Sequence, residues 1–256
     1  MDNTAKKVVV SARLPQAPDR SLMGAFTLVE LLVTIAVIAI LASLLLPSLS
    51  LARKRSQNIH CLSNTRQLGL GMKLYADNDP RGKLPGIQSP AFGLSPWSWV
   101  YGLSAYLGNV EQVRICPSDA QGPLRRREHG SSYVLNEYTS TDPEVRVTRS
   151  VVRNGVTGPD GETAVFVTPV RRVDALSNPS GTILLFEGSE LGALIGDERT
   201  HPDTWFLGWS NVVADIDPFR HGRAANYLFA DWHVESIAGS RLRARLEQGD
   251  HFAAPR

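Results

Sequence analysis

The chain has 256 residues, of which 43% are hydrophobic and 20% are charged, and its formal net charge is +2. This length is sufficient for one sizeable globular domain in addition to a long helix. The near-neutral charge, without a basic face that carries interleaved aromatic side chains, argues against nucleic-acid binding. The two cysteines, Cys61 and Cys116, do not form a metal-type Cys-x-x-Cys pair, so a disulfide and two buried thiols are the alternatives.

Residues 26–52 form an apolar stretch in which Glu30 is the single ionisable side chain. A helix of this length extends about 40 Å at roughly 1.5 Å per residue, enough to cross a hydrocarbon core of about 30 Å. We therefore predict a transmembrane helix, since the alternative of a helix buried in a soluble domain does not explain the missing polar face. A carboxylate in such a segment costs about 2.5–3.5 kcal/mol on insertion scales, so Glu30 is expected to be paired or functional.

Residues 1–25 form a polar leader in front of this stretch, and the basic side chains in it are Lys6, Lys7, Arg13 and Arg20. In a secretory signal, a small-residue cleavage site follows the apolar region. Here the small-residue junction Gly24-Ala25 precedes it. Basic side chains also follow the span directly, so charge alone does not set the orientation.

The basic leader followed by Phe-Thr-Leu-Val-Glu at residues 26–30 resembles the N-terminus of type IV prepilins and of type II secretion pseudopilins. This resemblance implies cleavage by a prepilin peptidase on the cytoplasmic side, between Ala25 and Phe26, and then N-methylation of Phe26. The family has Gly before the cut, whereas this chain has Ala25 with Gly24 one place earlier. Cleavage after Gly24 is the lesser alternative because Glu30 would then lie one place out of register.

The resemblance also gives Glu30 a role in assembly. Cleavage leaves a cationic amine on Phe26, and Glu30 lies about one turn further along the helix. In the family, this carboxylate draws incoming subunits into register; the alternative is a Glu that reaches to the membrane interface. The partners implied are the peptidase, other pilin or pseudopilin subunits, an inner-membrane assembly platform with its ATPase, and the membrane.

The same resemblance implies a single-pass protein of the bacterial inner membrane, with its N-terminus in the cytoplasm and its body outside. It implies a structural subunit and no enzyme, and no cofactor is expected. The rival hypothesis is a pilin-type anchor that carries an extracytoplasmic glycan- or metal-binding domain. A hydrolytic domain is a variant of this hypothesis. The sequence contains no nucleophile elbow, His-Glu-x-x-His, phosphate loop or dinucleotide motif.

The helix is predicted to continue past Pro47 as an amphipathic half over residues 53–78. A proline inside a helix removes one hydrogen bond and usually kinks it, and a helix end at Ser48 is the alternative. Continuation is favoured because apolar residues recur at helical spacing, namely Ile59, Leu62, Leu68, Met72 and Tyr75, while Arg55, Asn58, Asn64 and Lys73 fall largely off this stripe. The helix is predicted to end near residues 77–80.

Residues 79–256 are predicted to form a globular domain, with strands at 145–152, 163–170 and 182–186. Trp97 and Trp99 are interpreted as core residues in preference to a ligand-stacking site. Arg125–Arg127 are interpreted as a solvated loop in preference to a glycan site. Segments 61–75, 114–119 and 131–136 resemble a subgroup of pilin-like proteins abundant in planctomycete and verrucomicrobial genomes, although no physical reason for Cys-Pro-Ser-Asp at 116–119 is evident from the sequence.

Residues 220–237 resemble the C-terminal signature of that subgroup, a His followed after nine residues by Asp-Gly. His221 and Asp231 match it, and Trp232 replaces the Gly. The pattern predicts a hairpin with strands at 226–230 and 233–237, joined either by another turn type or by a Trp232 anchored through packing. His221, Asp231 and His233 suit a transition metal, but we favour a turn role for Asp231 and a hydrogen bond from His221 to Asp231, and no metal is predicted.

The sequence as a whole predicts an α+β, pilin-like fold. In it, a long N-terminal helix, transmembrane over 26–52 and amphipathic over 53–78, packs on an antiparallel β-sheet of the domain at 79–256.

Overall fold

The computed structural model describes residues 27–86, 98–140 and 169–255. The chain divides into two units, Met1–Leu49 and Ser50–Arg256. The predicted leader, Trp97, the predicted strand at 145–152 and most of the one at 163–170 lie outside the described residues.

Helix α1 spans Leu28–Asn78, so it ends where the sequence predicts. Pro47 lies inside it, which confirms that the helix continues; the kink stays a prediction. In the first unit, the large apolar side chains of this helix are exposed, for example Leu28 and Leu44. By length and composition, α1 is able to cross a membrane.

The second unit, Ser50–Arg256, is called the body below. The second half of α1 belongs to it and packs on the β-sheet described below. Leu68 and Met72 are buried there as predicted. Ile59 is exposed and Asn64 is buried, against the predicted stripe. Asn64 is buried because its Nδ2 donates to the carbonyl of Ile115 over 3.2 Å, which gives this amide a partner away from water. At Gly69 the helix comes so close to the sheet that an added Cβ would lie 2.6 Å from a methyl group of the sheet.

The sheet has four antiparallel strands in the order β1-β2-β3-β4. They are β1 Tyr133–Leu135, β2 Ile183–Glu187, β3 Ala224–Phe229 and β4 Val234–Ala238. Strand β2 lies close to the predicted 182–186, and β3 and β4 form the predicted hairpin. Val134 pairs with Phe186 between β1 and β2, and Tyr227 pairs with Glu235 between β3 and β4. A register shift interrupts the pairing of β2 with β3.

Both faces of the sheet are covered, because side chains along β3 alternate between two hydrophobic clusters. Leu228 belongs to the cluster that contains Leu68 and Met72 of α1. Tyr227 and Phe229 belong to the opposite cluster, whose large members include Phe186, Trp205, Leu242 and Phe252. The predicted α+β architecture, a long helix on an antiparallel sheet, is therefore the one observed.

Short helices complete the described chain. They are α2 Val110–Val113, α3 Gly122–Arg127, α4 Glu137–Ser140, α5 Glu190–Ile195, α6 Trp209–Asp215 and α7 Gly239–Glu247. Short 3-10 helices lie at Trp99–Leu103, Val173–Ala175, Pro179–Gly181 and Pro202–Leu207. Most of these elements are too short to be stable alone, so packing against the sheet and α1 determines them.

The turn between β3 and β4 contains Trp232 in the left-handed region, with a φ of 74°. Phe229 accepts a hydrogen bond from the Trp232 N–H over 2.9 Å and donates its own N–H to His233 O over 2.9 Å. Asp231 does not have a positive φ, so the turn differs from the type in which both central residues do. The indole of Trp232 packs against the core cluster that faces α1, and this contact offsets the backbone cost at a position that favours Gly.

Candidate functional site

The first described turn of α1 contains reciprocal hydrogen bonds between Thr27 and Glu30. The backbone N–H and the hydroxyl of Thr27 donate to Oε2 of Glu30 over 2.9 and 2.8 Å, and the N–H of Glu30 donates to Thr27 Oγ1 over 3.2 Å. This is a capping box, which satisfies backbone N–H groups that have no partner within the helix. It holds the carboxylate at the start of the helix. The predicted cleavage site, Ala25 and Phe26, lies outside the described residues.

Cys61 and Cys116 are joined by a disulfide. Cys61 lies in the part of α1 that packs on the sheet, and Cys116 follows α2. Both side chains are buried. Of the two alternatives that the sequence leaves open, the structure thus has the disulfide, and this bridge attaches α1 to the segment before α3.

Asp119 organises a buried charge cluster, which supplies a physical role for the Cys-Pro-Ser-Asp segment. Its Oδ2 accepts hydrogen bonds from Arg125 Nε over 2.8 Å and from Ser132 Oγ over 2.6 Å, and it lies 3.0 Å from Arg220 Nη1. All three ionic side chains are almost completely buried. Burial alone would raise the pKa of Asp119, but the charges of Arg220 and Arg125 hold it below its ordinary value.

Of the three arginines at 125–127, Arg126 and Arg127 are exposed as predicted, but the segment is a helix and not a loop. They lie in α3, and Arg125 is buried against Asp119. A further buried arginine, Arg114, donates to the carbonyls of Arg125 over 3.0 Å and Arg126 over 3.3 Å. It also pairs with Glu111 over 2.6 Å. Arg114 therefore satisfies carbonyl groups at the C-terminal end of α3 that the helix itself leaves without partners.

Glu187, at the end of β2, forms a second buried group directly beside the disulfide. Its Oε1 lies 2.9 Å from His221 Nε2, and its Oε2 accepts the backbone N–H of Asn226 over 3.1 Å. The Asn226 side chain donates to Oδ1 of Asn58 in α1 over 3.1 Å. The side chains of Glu187 and His221 are 0% and 2% exposed. This group joins α1, β2 and the start of β3.

Asp231 and His233 lie elsewhere, at the exposed β3–β4 turn. His233 Nδ1 hydrogen bonds to Asp231 Oδ1, and the imidazole stacks on Phe229 with ring centroids 4.3 Å apart. His221 precedes the opposite end of β3. The three signature residues therefore do not converge on one ligand set. Asp231 belongs to the turn, as favoured from the sequence, but the expected hydrogen bond from His221 to Asp231 is wrong, because His221 contacts Glu187.

A polar groove of about 520 Å³ lies between α1 and α2. It is lined by His60, Asn64, Gln67, Gln112, Val113, Ile115, Pro117 and Arg126. Trp99 is not available to a ligand, because it is 2% exposed and its Nε1 donates to Tyr133 O over 3.1 Å. This is the core role that the sequence favours for it.

Sequence reasoning did not single out Glu187, Arg220 or Arg114. Two of them carry a recognisable signal. Glu187 is a carboxylate placed directly after a buried apolar run, and Arg220 directly precedes His221. Charges in such positions are normally paired. The partners, His221 for Glu187 and Asp119 for Arg220, are remote in sequence, so a local pattern does not identify them.

Comparisons with protein-family models, with curated proteins and with solved structures found no match. A long N-terminal apolar helix packs through its second half on a four-stranded antiparallel sheet, and this arrangement is compatible with a pilin-like fold. The helix is weakly compatible with single-pass membrane anchoring.

Proposed function

We propose that the chain is a pilin or pseudopilin subunit of a type IV pilus-like or type II secretion filament. In this proposal a prepilin peptidase removes residues 1–25, Phe26 is N-methylated, and an inner-membrane platform with its ATPase assembles the subunits. The body lies outside the inner membrane, and the leader lies in the cytoplasm. The role is structural and not catalytic.

The observation that carries the proposal is the division of α1 into two chemically different halves. The half before residue 50 exposes apolar side chains such as Leu32, Ile38 and Leu45, and this surface requires either lipid or other apolar helices around it. The half after residue 57 buries one face in the body. A subunit that is stored in a membrane and then packed helix to helix in a filament needs both properties in one continuous helix.

The Thr27–Glu30 capping box adds a mechanism for registering subunits. Cleavage before Phe26 would create a cationic amine one residue from Thr27, at the helix end where the Glu30 carboxylate is held. In a medium of low dielectric, the attraction between an amine and a carboxylate depends strongly on their distance. The carboxylate of one subunit therefore favours the axial position that places the amine of its neighbour beside it.

The processing step is tested by mass spectrometry of the protein isolated from its native membranes. The proposal expects a mature chain that begins at N-methylated Phe26. A chain that retains residues 1–25 would remove the main support for a polymer subunit and would leave a simple membrane anchor.

The assembly step is tested with Glu30→Gln, which removes the charge and keeps the size of the side chain. We expect normal membrane insertion and at least about a tenfold loss of filament-associated protein, measured by shearing and sedimentation. Thr34→Val is the matched control, since Thr34 bonds only to Leu31 O in its own helix among the described contacts. Normal filaments from Glu30→Gln would contradict the register mechanism even if the processing is correct.

The groove beside α1 favours a second candidate function, an anchored glycan-binding domain. Its amide, imidazole and guanidinium groups, from Gln67, Gln112, His60 and Arg126, match hydroxyl and carboxylate groups of an acidic glycan. Calorimetry of the full chain in detergent with uronic-acid oligosaccharides tests it. Binding that Arg126→Gln and His60→Gln abolish would favour this function over a purely structural one.

A further inference from the structure

Four side chains with metal-binding atoms converge in the buried group beside the disulfide. The sulfurs of Cys61 and Cys116, a carboxylate oxygen of Glu187 and an imidazole nitrogen of His221 all lie within 4.8 Å of one another. We propose that, once the disulfide is reduced, these four residues form a Zn²⁺ site. The site is a property of the body and does not depend on filament assembly.

The residue types suit zinc in particular. Zn²⁺ prefers four ligands in a tetrahedral arrangement from Cys, His and carboxylate side chains, and thiolates select it over harder cations such as Mg²⁺ or Ca²⁺. In structural zinc sites, protein ligands fill all four positions and none is left for water. Each of the four side chains here is buried, with exposures between 0% and 2%.

The surroundings also prepare the ligands. The backbone N–H of Asn226 donates to Glu187 Oε2 over 3.1 Å, which fixes this carboxylate and leaves Oε1 facing His221. Nδ1 of His221 is buried and has no hydrogen-bond partner among the described residues. A buried ring nitrogen without a partner is unfavourable, and one further interaction of this imidazole would relieve that cost.

The two states of the site differ by two electrons and two protons. A dithiol reductant opens the bridge by thiol–disulfide exchange: its two thiols become a disulfide, and its two electrons and two protons convert the bridge into the Cys61 and Cys116 thiols. Zn²⁺ binding then displaces both thiol protons to solvent. Two thiolates, one carboxylate and Zn²⁺ leave one negative charge, which the electrostatic interaction of the Arg220 guanidinium with Glu187 partly offsets.

The consequence is a link that survives reduction. The disulfide joins α1 to the segment after α2, whereas the zinc ion would join those two segments and also β2 and the residue that leads into β3. A chain that is not yet oxidised would thereby hold α1 against the body through a metal ion, and oxidation would release the ion and replace it with the covalent bridge.

The test uses the full chain in detergent. A trialkylphosphine reduces the disulfide. The phosphine takes oxygen from water and becomes a phosphine oxide, and the two protons of the water go to the two thiols. A chelator then removes trace metal. Titration with Co²⁺ should give thiolate-to-cobalt charge-transfer absorption that saturates at one ion per chain, and Zn²⁺ should abolish it. The oxidised chain should bind Co²⁺ at least about tenfold more weakly.

Glu187→Gln and His221→Gln should each weaken binding to the reduced chain at least about tenfold. Asp231→Asn combined with His233→Gln is the matched control, because this pair is also a His and a carboxylate but lies at the hairpin turn, and it should leave binding unchanged. Circular dichroism of the oxidised variants checks that each is folded. If one variant is unfolded, Co²⁺ binding to the other tests the proposal.

Three results would overturn the proposal. The first is an absence of cobalt–thiolate absorption in the reduced chain. The second is binding that is insensitive to both Glu187→Gln and His221→Gln, which would show thiols acting alone. The third is a reduced chain that unfolds and does not regain its circular dichroism when Zn²⁺ is added.

Discussion

At the scale of single residues, Asp119 joins three separate parts of the body. Its carboxylate contacts Arg125 of α3, Ser132 before β1 and Arg220 before β3. Two buried guanidinium groups pair with this one buried carboxylate, and Arg220 also pairs with Asp217 over 2.9 Å. A cluster of this kind is sensitive to the loss of any member, because the remaining charges cannot be rehydrated without unfolding.

We predict that Asp119→Asn destabilises the body by about 3–5 kcal/mol, the range measured when one partner of a buried ion pair is removed. The variant keeps the size of the side chain, so the loss reports the charge of Arg125, which loses its partner at 2.8 Å, and that of Arg220, which keeps only its pair with Asp217. Urea unfolding of the full chain in detergent, followed by tryptophan fluorescence, measures it. Glu247→Gln, which breaks the exposed pair with Arg243, is the control and should cost less than about 1 kcal/mol.

The pH dependence of this effect has a defined sign. Because the pKa of Asp119 is lowered in the folded chain, its contribution is present above the unfolded pKa of about 3.9 and is lost as the pH falls through the folded pKa. Wild type and Asp119→Asn should therefore converge in stability at strongly acidic pH. A difference that stays constant down to the acid transition would show that packing, and not charge, causes the loss.

At the scale of elements, His201 joins the ends of α5 and α6. Its Nε2 lies 3.3 Å from Asp197, which follows α5, and its Nδ1 lies 3.0 Å from Asp215, the last residue of α6. Trp205 Nε1 donates to the same Asp215 carboxylate over 2.6 Å. The hydrogen bonds to Asp197 and Asp215 raise the pKa of His201 to about 10. The imidazole is therefore cationic at neutral pH and bridges two carboxylates.

We predict that His201→Gln is less stable than wild type at pH 6 and that this difference disappears at high pH. A raised folded pKa contributes its full stability below the unfolded value of about 6.5, and the contribution is lost as the pH rises through about 10. Denaturant midpoints of both proteins between pH 6 and pH 10.5 measure the difference. His233→Gln, which removes an exposed imidazole at the hairpin turn, controls for the loss of one titrating histidine. If the stability difference between wild type and His201→Gln does not shrink at high pH, a cationic His201 does not bridge Asp197 and Asp215.

The elements that could be predicted from the sequence are those specified by local signals. Helix α1 follows from a long apolar run and a helical repeat, and its end follows from a cluster of helix-breaking residues after Tyr75. The β3–β4 hairpin follows from two apolar segments around Asp231. Strand β1 is different, because Tyr133–Leu135 has three residues and all are buried. This strand is too short to show the period-2 alternation that predicts a strand from sequence. It forms because it pairs with β2.

The buried polar groups could not be predicted for a related reason. The sequence places Asn64 off the apolar stripe and Arg125 in a run expected to be solvated, because a side chain's polarity alone favours exposure. Each is buried because a partner is supplied from another segment, Ile115 O for Asn64 and Asp119 for Arg125. Such partners are fixed by the tertiary fold, which a local reading does not contain.

At the scale of the whole molecule, the body holds α1 through a compact group of bonds at the beginning of its packed half. Gln57 donates to Pro117 O over 3.3 Å, Asn58 accepts from Asn226 over 3.1 Å, and Cys61 carries the disulfide. The residues of α1 that precede this group expose apolar side chains. The attachment therefore lies near the point where the side chains of α1 change from exposed and apolar to packed against the body.

The disulfide should provide the largest single part of this attachment. It closes a loop with a sequence separation of 55 residues, for which the chain-entropy treatment gives about 4 kcal/mol. We predict that Cys61→Ser combined with Cys116→Ser lowers the free energy of unfolding by about this amount, measured by urea unfolding of the full chain with a chelator present so that metal binding does not contribute. Reduced wild type in the same chelator is the matched control and should unfold with the double variant. If the double variant and oxidised wild type unfold at the same urea concentration, the bridge does not stabilise the body, and the hydrophobic cluster around Leu68 and Met72 holds the helix by itself.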